Sequence, residues 1–112
     1  MKLVSAVIRP EKLDEVRRAL GFAYVTGVTV TEVRGYGRQR GHANVYRGAE
    51  YRTEFRSKLL VEMAVRARDV DAVIAALLRC AATGAIGDGK IFVAPLENVI
   101  RIRTGEQGPD AL

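Results

Sequence analysis

The sequence predicts an α+β fold: four strands in one antiparallel sheet, with two helices on one of its faces. Two helical stripes and four short apolar runs follow one another in the order strand, helix, strand, strand, helix, strand. A polar stretch from Gly37 to about Phe55 keeps neither period and separates the second strand from the third. The chain has 112 residues, 48% apolar and 28% charged, the size and balance of one globular domain over 1–112.

Leu3 to Ile8 reads as the first strand. It is nearly continuously apolar, so cover is expected on both faces. Pro10 sits where an N1 proline belongs, with Glu11 in the first turn. Leu13, Val16 and Leu20 fall at i, i+3 and i+7, one stripe of a first helix, with Lys12, Arg17 and Arg18 off it. Gly21 weakens that helix and Gly27 ends the connection. Val28 to Tyr36, rich in valine and threonine, is the second strand, and Lys58 to Val65 the third. Asp69 is the expected N-cap of a second helix. Val70, Val73, Ile74, Leu77, Leu78 and Ala81 form its stripe. Ile91 to Val93 is the fourth strand, ended by Pro95. Val99 to Arg103 reads as a short extended segment, and Glu106 to Leu112 as a loose polar tail. This order is that of the ferredoxin-like split βαβ arrangement. Strands this apolar would expose much surface on the sheet face away from the helices, and a homo-oligomer covering it is the physical solution.

No apolar run approaches a membrane span, and Met1-Lys2 leads directly into strand-like sequence, so neither membrane insertion nor a targeting peptide is expected. The single cysteine, Cys80, cannot form an internal disulfide; a small apolar residue in a helix suits a reducing cytoplasm. The net charge of +5 favours anionic partners without choosing among nucleotides, nucleic acid and acidic membranes.

Thr83-Gly84-Ala85-Ile86-Gly87-Asp88-Gly89-Lys90 carries the strongest chemical signal. Its three glycines permit positive φ and a nest of N–H groups for anionic oxygens. Lys90 adds a point charge suited to a phosphate. The other reading is a tight helix-to-strand connection, with Gly84 at C′ and Asp88-Gly89 as an ordinary turn. Arg101 and Arg103 would share one face of an extended segment, where two guanidiniums suit a polyphosphate or simply deter edge aggregation. His42, the only histidine, has no Cys or His partner for a zinc-type site. No paired carboxylates and no Ser/His/Asp set stand at a recognisable spacing, so a hydrolase has little support. Tyr46 and Tyr51 in the long loop are packing anchors or accessible hydroxyls; composition does not choose.

Several blocks together resemble the PII nitrogen-regulatory signalling proteins. They are Thr29-Val30-Thr31-Glu32-Val33, then Gly35-Tyr36-Gly37-Arg38-Gln39-Arg40-Gly41-His42, then Tyr46-Arg47-Gly48-Ala49-Glu50-Tyr51. Thr83-Gly84 through Gly87-Asp88-Gly89-Lys90-Ile91-Phe92-Val93 and Arg101-Ile102-Arg103-Thr104-Gly105-Glu106 complete the set, with no insertion between blocks. The resemblance runs end to end. It implies a compact homotrimer with nucleotide sites in the clefts between subunits, where ATP and ADP compete. Gly87, Asp88, Gly89 and Lys90 would cradle the phosphates, Arg101 and Arg103 would reach them across the cleft, and Thr29 and Ala64 would lie near the base. Gly37 and Arg38, which stand with Gln39 at the root of the loop, would also bind the nucleotide. Mg2+ would bridge the ATP phosphates to Gln39 and to 2-oxoglutarate, which Lys58, Gly37 and Gly87 would also hold.

By the same resemblance, residues 37–55 form a target-binding loop, 83–90 the phosphate loop and 101–112 the C-terminal segment. Tyr51 matches a nucleotidylylated tyrosine, and Arg47 an arginine inserted into an ammonium channel. Ala49 replaces a phosphorylated serine and excludes that mode. Candidate targets are a nucleotidylyltransferase, a glutamine synthetase adenylyltransferase, a sensor kinase or an ammonium channel. The implied location is cytoplasmic, with membrane association only through such a channel. Arg52, Thr53, Arg56 and Ser57 make the loop exit more basic and polar than the family pattern, Ala64 is smaller than usual, and Gly21-Phe22-Ala23-Tyr24-Val25 departs from it.

The implied function is a non-catalytic sensor of ATP/ADP and 2-oxoglutarate. The alternative is an RNA-binding ferredoxin-like domain, favoured by the charge but lacking an aromatic stacking pattern on its strands. A small phosphotransfer enzyme would need a base or nucleophile at the phosphate loop, and none is evident.

Overall fold

Residues 1–37 and 55–112 are described in the computed structural model. The expectations for Arg38, Gln39, His42, Tyr46, Arg47, Ala49, Tyr51, Arg52 and Thr53 lie outside the described residues. Six principal elements follow in chain order: β1 (Lys2–Ile8), α1 (Leu13–Phe22), β2 (Thr29–Gly35), β3 (Arg56–Val65), α2 (Val70–Ala81) and β4 (Ile91–Pro95). The sheet order is β2-β3-β1-β4, with every neighbouring pair antiparallel, which is the ferredoxin-like arrangement.

Side chains alternate across a strand, so register decides which residues meet the helices. Val4 stands opposite Met63, and Ala6 opposite Val61. These four, with Ile8 and Val65, are at most 3% exposed. The helical stripes supply the other half of the core: Val16 and Leu20 from α1, and Val73, Ala76 and Leu77 from α2. Cys80 packs against this cluster, half-buried. The opposite face carries Leu3, Val7, Leu60 and Ala64, all half-buried, and the exposed Phe92. The chain therefore covers one face of β1, not both, because both helices lie on the same side of the sheet.

Three local expectations are corrected. Asp69 has no side-chain capping bond and already has helical backbone. It closes a 3-10 turn, Ala67–Asp69, that runs straight into α2, whereas a capping side chain needs an extended residue. β4 includes Pro95, tolerated because β4 is an edge strand. Val99 to Arg103 is not one extended segment, since the chain turns at 102–104. Ile100 forms a bridge with Gln107, and the chain turns back between them. Gly105 N–H donates to Arg101 O at 2.7 Å, and Arg101 N–H to Glu106 O at 2.9 Å. Gly105, at φ 73°, supplies the left-handed residue this reversal needs. Arg101 and Arg103 therefore do not share the face of a strand.

The tail is tied down as well. Asn98 Oδ1 accepts from Val99 N–H and Gly108 N–H, and Arg66 Nη2 donates to Pro109 O at 3.2 Å. The last segment ends in a 3-10 turn, Gly108–Ala111, beside the end of β3.

Candidate functional site

The loop between α2 and β4 is held by the carboxylate of Asp88. It accepts from Thr83 N–H at 2.7 Å, the Thr83 hydroxyl at 2.5 Å and Gly84 N–H at 2.9 Å. From outside the loop, Arg9 Nε donates to Asp88 Oδ1 at 3.0 Å, and Arg9 Nη2 to Ile86 O at 2.9 Å. The Thr83 hydroxyl and backbone donors, with the Arg9 guanidinium, hold the Asp88 carboxyl far below the usual carboxylate range. Asp88 is thus a staple within the loop, and the anion-binding potential falls to backbone N–H groups and nearby cations. The helix stops at Ala81 with Ala82 as its extended cap, so Gly84 is not the C′ residue.

Gly89 carries the tightest constraint. Its φ is +91°, and a Cβ there would lie 1.7 Å from Val7 O. The backbone needs this close approach because Val7 N–H donates to Lys90 O at 2.9 Å, where the loop joins the sheet. Gly87, at φ +107°, faces two cations: a Cβ would stand 3.2 Å from Arg9 Nη2 and 3.4 Å from Lys58 Nζ.

Lys58 is 8% exposed and donates through Nζ to Gly87 O. Burial first, then the Arg9 and Arg56 guanidiniums, push its pKa down from the ordinary lysine value. An anion placed there would relieve the crowding of cations. Next to it opens a cavity of about 590 Å³, bounded by Gly35, Tyr36 and Gly37 on one side and Ile86 to Lys90 on the other. Tyr36 meets Phe55 edge to face, centroids 5.0 Å apart, which clasps the two ends of the long loop. The structure thus brings Gly37, Lys58, Gly87, Asp88, Gly89 and Lys90 together around one opening.

The remaining site residues stand elsewhere. Thr29 pairs with Glu62 and Ala64 with Leu3, on the sheet face away from the helices. Ala64 is six residues along β3 from Lys58, roughly 20 Å at strand spacing. Arg101 belongs to the C-terminal hairpin: Nη1 donates to Glu106 Oε1 at 2.7 Å and Nη2 to Leu112 O at 3.1 Å. Arg103 lies exposed in the turn of that hairpin. Since the tail is bonded to Arg66, just past the end of β3, these arginines also lie far from the glycine loop.

Arg9 is the site residue that sequence reasoning missed. It precedes Pro10 and shows no spacing signal. Only the pairing of β1 with β4 carries it to the glycine loop. Among the described residues, no group of His, Cys, Asp or Glu could hold a metal ion. The charged side chains around the cavity are cations, and Asp88 is already engaged, so any divalent ion here would be carried mainly by oxygens of an anionic ligand.

A glycine loop stapled by an acid, cations converging on an opening and a long loop rooted at the same place have close counterparts among known proteins. The family model described as nitrogen regulatory protein P-II matches residues 1–106. The nitrogen regulatory protein P-II of Pasteurella multocida is 54% identical over 112 residues, covering all of both chains. Those of Nostoc punctiforme and Rhizobium meliloti are 55% and 54% identical over the same full length. With a sheet, a loop and a full-length match that agree, the chain belongs to the P-II family of non-catalytic signalling proteins of nitrogen regulation.

Proposed function

We propose that this one-domain chain senses ATP against ADP together with 2-oxoglutarate, and reports their binding to nitrogen-assimilation proteins through residues 37–55. The observation that carries this reading is the division of the family-matched residues into two half-sites. Gly37, Lys58 and Gly87 to Lys90 line one opening. Thr29, Ala64, Arg101 and Arg103 stand toward the other end of the sheet. No single copy can close both on one nucleotide. A cyclic homotrimer can, because a heterologous contact sets one end of each copy against the other end of the next. It would also cover Leu3, Val7, Leu60 and Phe92 on the bare sheet face.

In this assembly the loop N–H groups and Lys90 take the phosphates, Arg101 and Arg103 approach them from the neighbour, and Thr29 and Ala64 flank the base. Arg38 stands with Gly37 at the root of the long loop. Lys58 and the Gly87 backbone receive the 2-oxoglutarate carboxylate, with Gly37 beside them. Mg2+ carried by ATP, held by Gln39, would supply a bridge between the two anions. Tyr51 is the proposed nucleotidylylation site and Arg47 a docking residue. The targets are a nucleotidylyltransferase, a glutamine synthetase adenylyltransferase, a sensor kinase or an ammonium channel, and the location is the cytoplasm.

The test is calorimetric titration of 2-oxoglutarate into the protein with Mg-ATP, with Mg-ADP and with no nucleotide. Binding is expected only with Mg-ATP, and linkage requires 2-oxoglutarate to tighten ATP by the same factor. Comparable binding in all three conditions would refute the coupled sensor.

A further inference from the structure

Two apolar surface features remain, one clear of the half-sites and one that borders the glycine loop. The first is the end of α1, where Phe22 is 88% and Tyr24 77% exposed. Tyr24 has φ +65°, the one non-glycine residue at positive φ among those described. A bulky side chain is a genuine outlier in that region, and such strain points to a role for the position. The second is an apolar groove of about 350 Å³ between α2 and β4. Ile74, Leu78, Ala82 and Val93 line it, Lys90 closes its loop end, and Leu78 and Val93 are 60% and 46% exposed.

We infer that Phe22 and Tyr24 of one copy seat in the α2–β4 groove of the next copy. This rests on the cyclic assembly proposed above and assigns it a contact specific to this chain. The two surfaces flank opposite edges of the sheet, because the turn after α1 leads into β2 and the groove borders β4. They therefore do not overlap, and their union is heterologous, the type that closes a ring.

Chain connectivity sets the reach. Tyr24 is five residues before Thr29, at most about 18 Å of extended chain. The groove shares Asp88, Gly89 and Lys90 with the glycine loop. If Thr29 of one copy meets a nucleotide on that loop in the next, the α1–β2 turn has the reach to enter the groove. The chemistry also matches. Two aromatic rings bring roughly 150–250 Å² of surface each to an aliphatic slot. Buried aromatics of this kind are the usual anchors of an interface.

Sedimentation equilibrium from nanomolar to micromolar concentration tests the contact. Tyr24→Gly removes the ring and suits the left-handed backbone, so the fold persists by circular dichroism. Its dissociation constant is expected to rise about tenfold or more. Leu78→Ser, at an exposed position, is expected to do the same. The double variant should fall well short of the product of the two effects, because each change removes the same contact. Wild-type assembly in either single variant, or strictly multiplicative effects, would overturn the contact while leaving the ring intact. A wild-type protein that stays monomeric would overturn the ring itself, and the contact with it.

Discussion

Gly89 has the least freedom among the described glycines. Any β-carbon there collides with Val7 O, and that carbonyl belongs to a strand at the centre of the sheet. Gly89→Ala is expected to destabilise the protein by at least about 2 kcal/mol, read as a lowered denaturant midpoint. Asp88 is different, since its contribution depends on charge. Its folded pKa lies below the unfolded value of 3.8, so the unfolded chain binds the proton more readily. The stability it adds is present above that value and lost as pH falls through the folded pKa. Asp88→Asn should therefore lower Tm at neutral pH, with the gap to wild type closing in strong acid. A gap that stays constant from neutral to strongly acidic pH would show that the staple is not electrostatic. Lys58 has linkage of the same sign for a different reason, since its charged form is the one the fold disfavours. Its pKa is depressed, so stability rises with pH between that depressed value and 10.5. A carboxylate bound at Nζ should draw a proton onto Lys58 in that alkaline window. Calorimetry in buffers of different ionisation enthalpy would measure the uptake.

At the scale of the element, α2 shows how much comes from a stripe and how little from a cap. Its first turn has no side-chain capping bond, yet Val73, Ala76 and Leu77 are at most 2% exposed. Leu77→Ala should cost about 2–5 kcal/mol, the range for a buried leucine whose site relaxes only partly. Asp69→Ala should cost well under about 1 kcal/mol, since only first-turn charge is lost. Urea unfolding of both variants compares the two directly. The Arg101–Glu106 hairpin is governed by turn chemistry. Two residues at alternate positions suggested an extended strand with both arginines on one face. Asn98, Gln107 and Gly105 instead close a reversal through their own hydrogen bonds and a positive φ. That competition was hidden because the apolar residues Val99, Ile100 and Ile102 read equally well as strand.

For the whole molecule, half-sites at opposite ends of one chain make a distinctive prediction. Lys90→Ala and Arg103→Ala should each weaken ATP binding by about tenfold or more, the scale of a lost charge-assisted contact. When the two variants are unfolded together and reassembled, a mixed trimer of the proposed kind would regain about one intact cleft in three, because in that assembly lysine and arginine come from different copies. With equal amounts of the two variants, tight ATP binding should return in the mixture at about one cleft in four, since trimers of a single variant regain none, measured by calorimetry or filter binding. Failure to complement would place both residues in one copy's site. Stability and binding are joined at this scale, since the bare sheet face and the nucleotide cleft would be closed by the same contact.

Periodicity determined the fold. Short apolar runs in the strands and the stripes Val16/Leu20 and Val73/Leu77 assign six elements, and the stripes also give the buried faces of the two helices, because burial of apolar side chains acts at short range along the chain. The glycine loop was legible too, since positive φ and close backbone approach leave few alternatives to glycine. What the tertiary structure decided is which residues stand together. Arg9 and Lys58 meet at Gly87, Asp88 turns inward as a staple, and Thr29 with Ala64 lies a strand's length away. These placements depend on strand order and register, which bring residues such as Arg9 and Asp88, 79 positions apart, into hydrogen-bond contact. Local spacing carries no record of such distances. The same register leaves Leu3, Val7 and Leu60 together on one uncovered face, a property of the assembled sheet that no single strand displays.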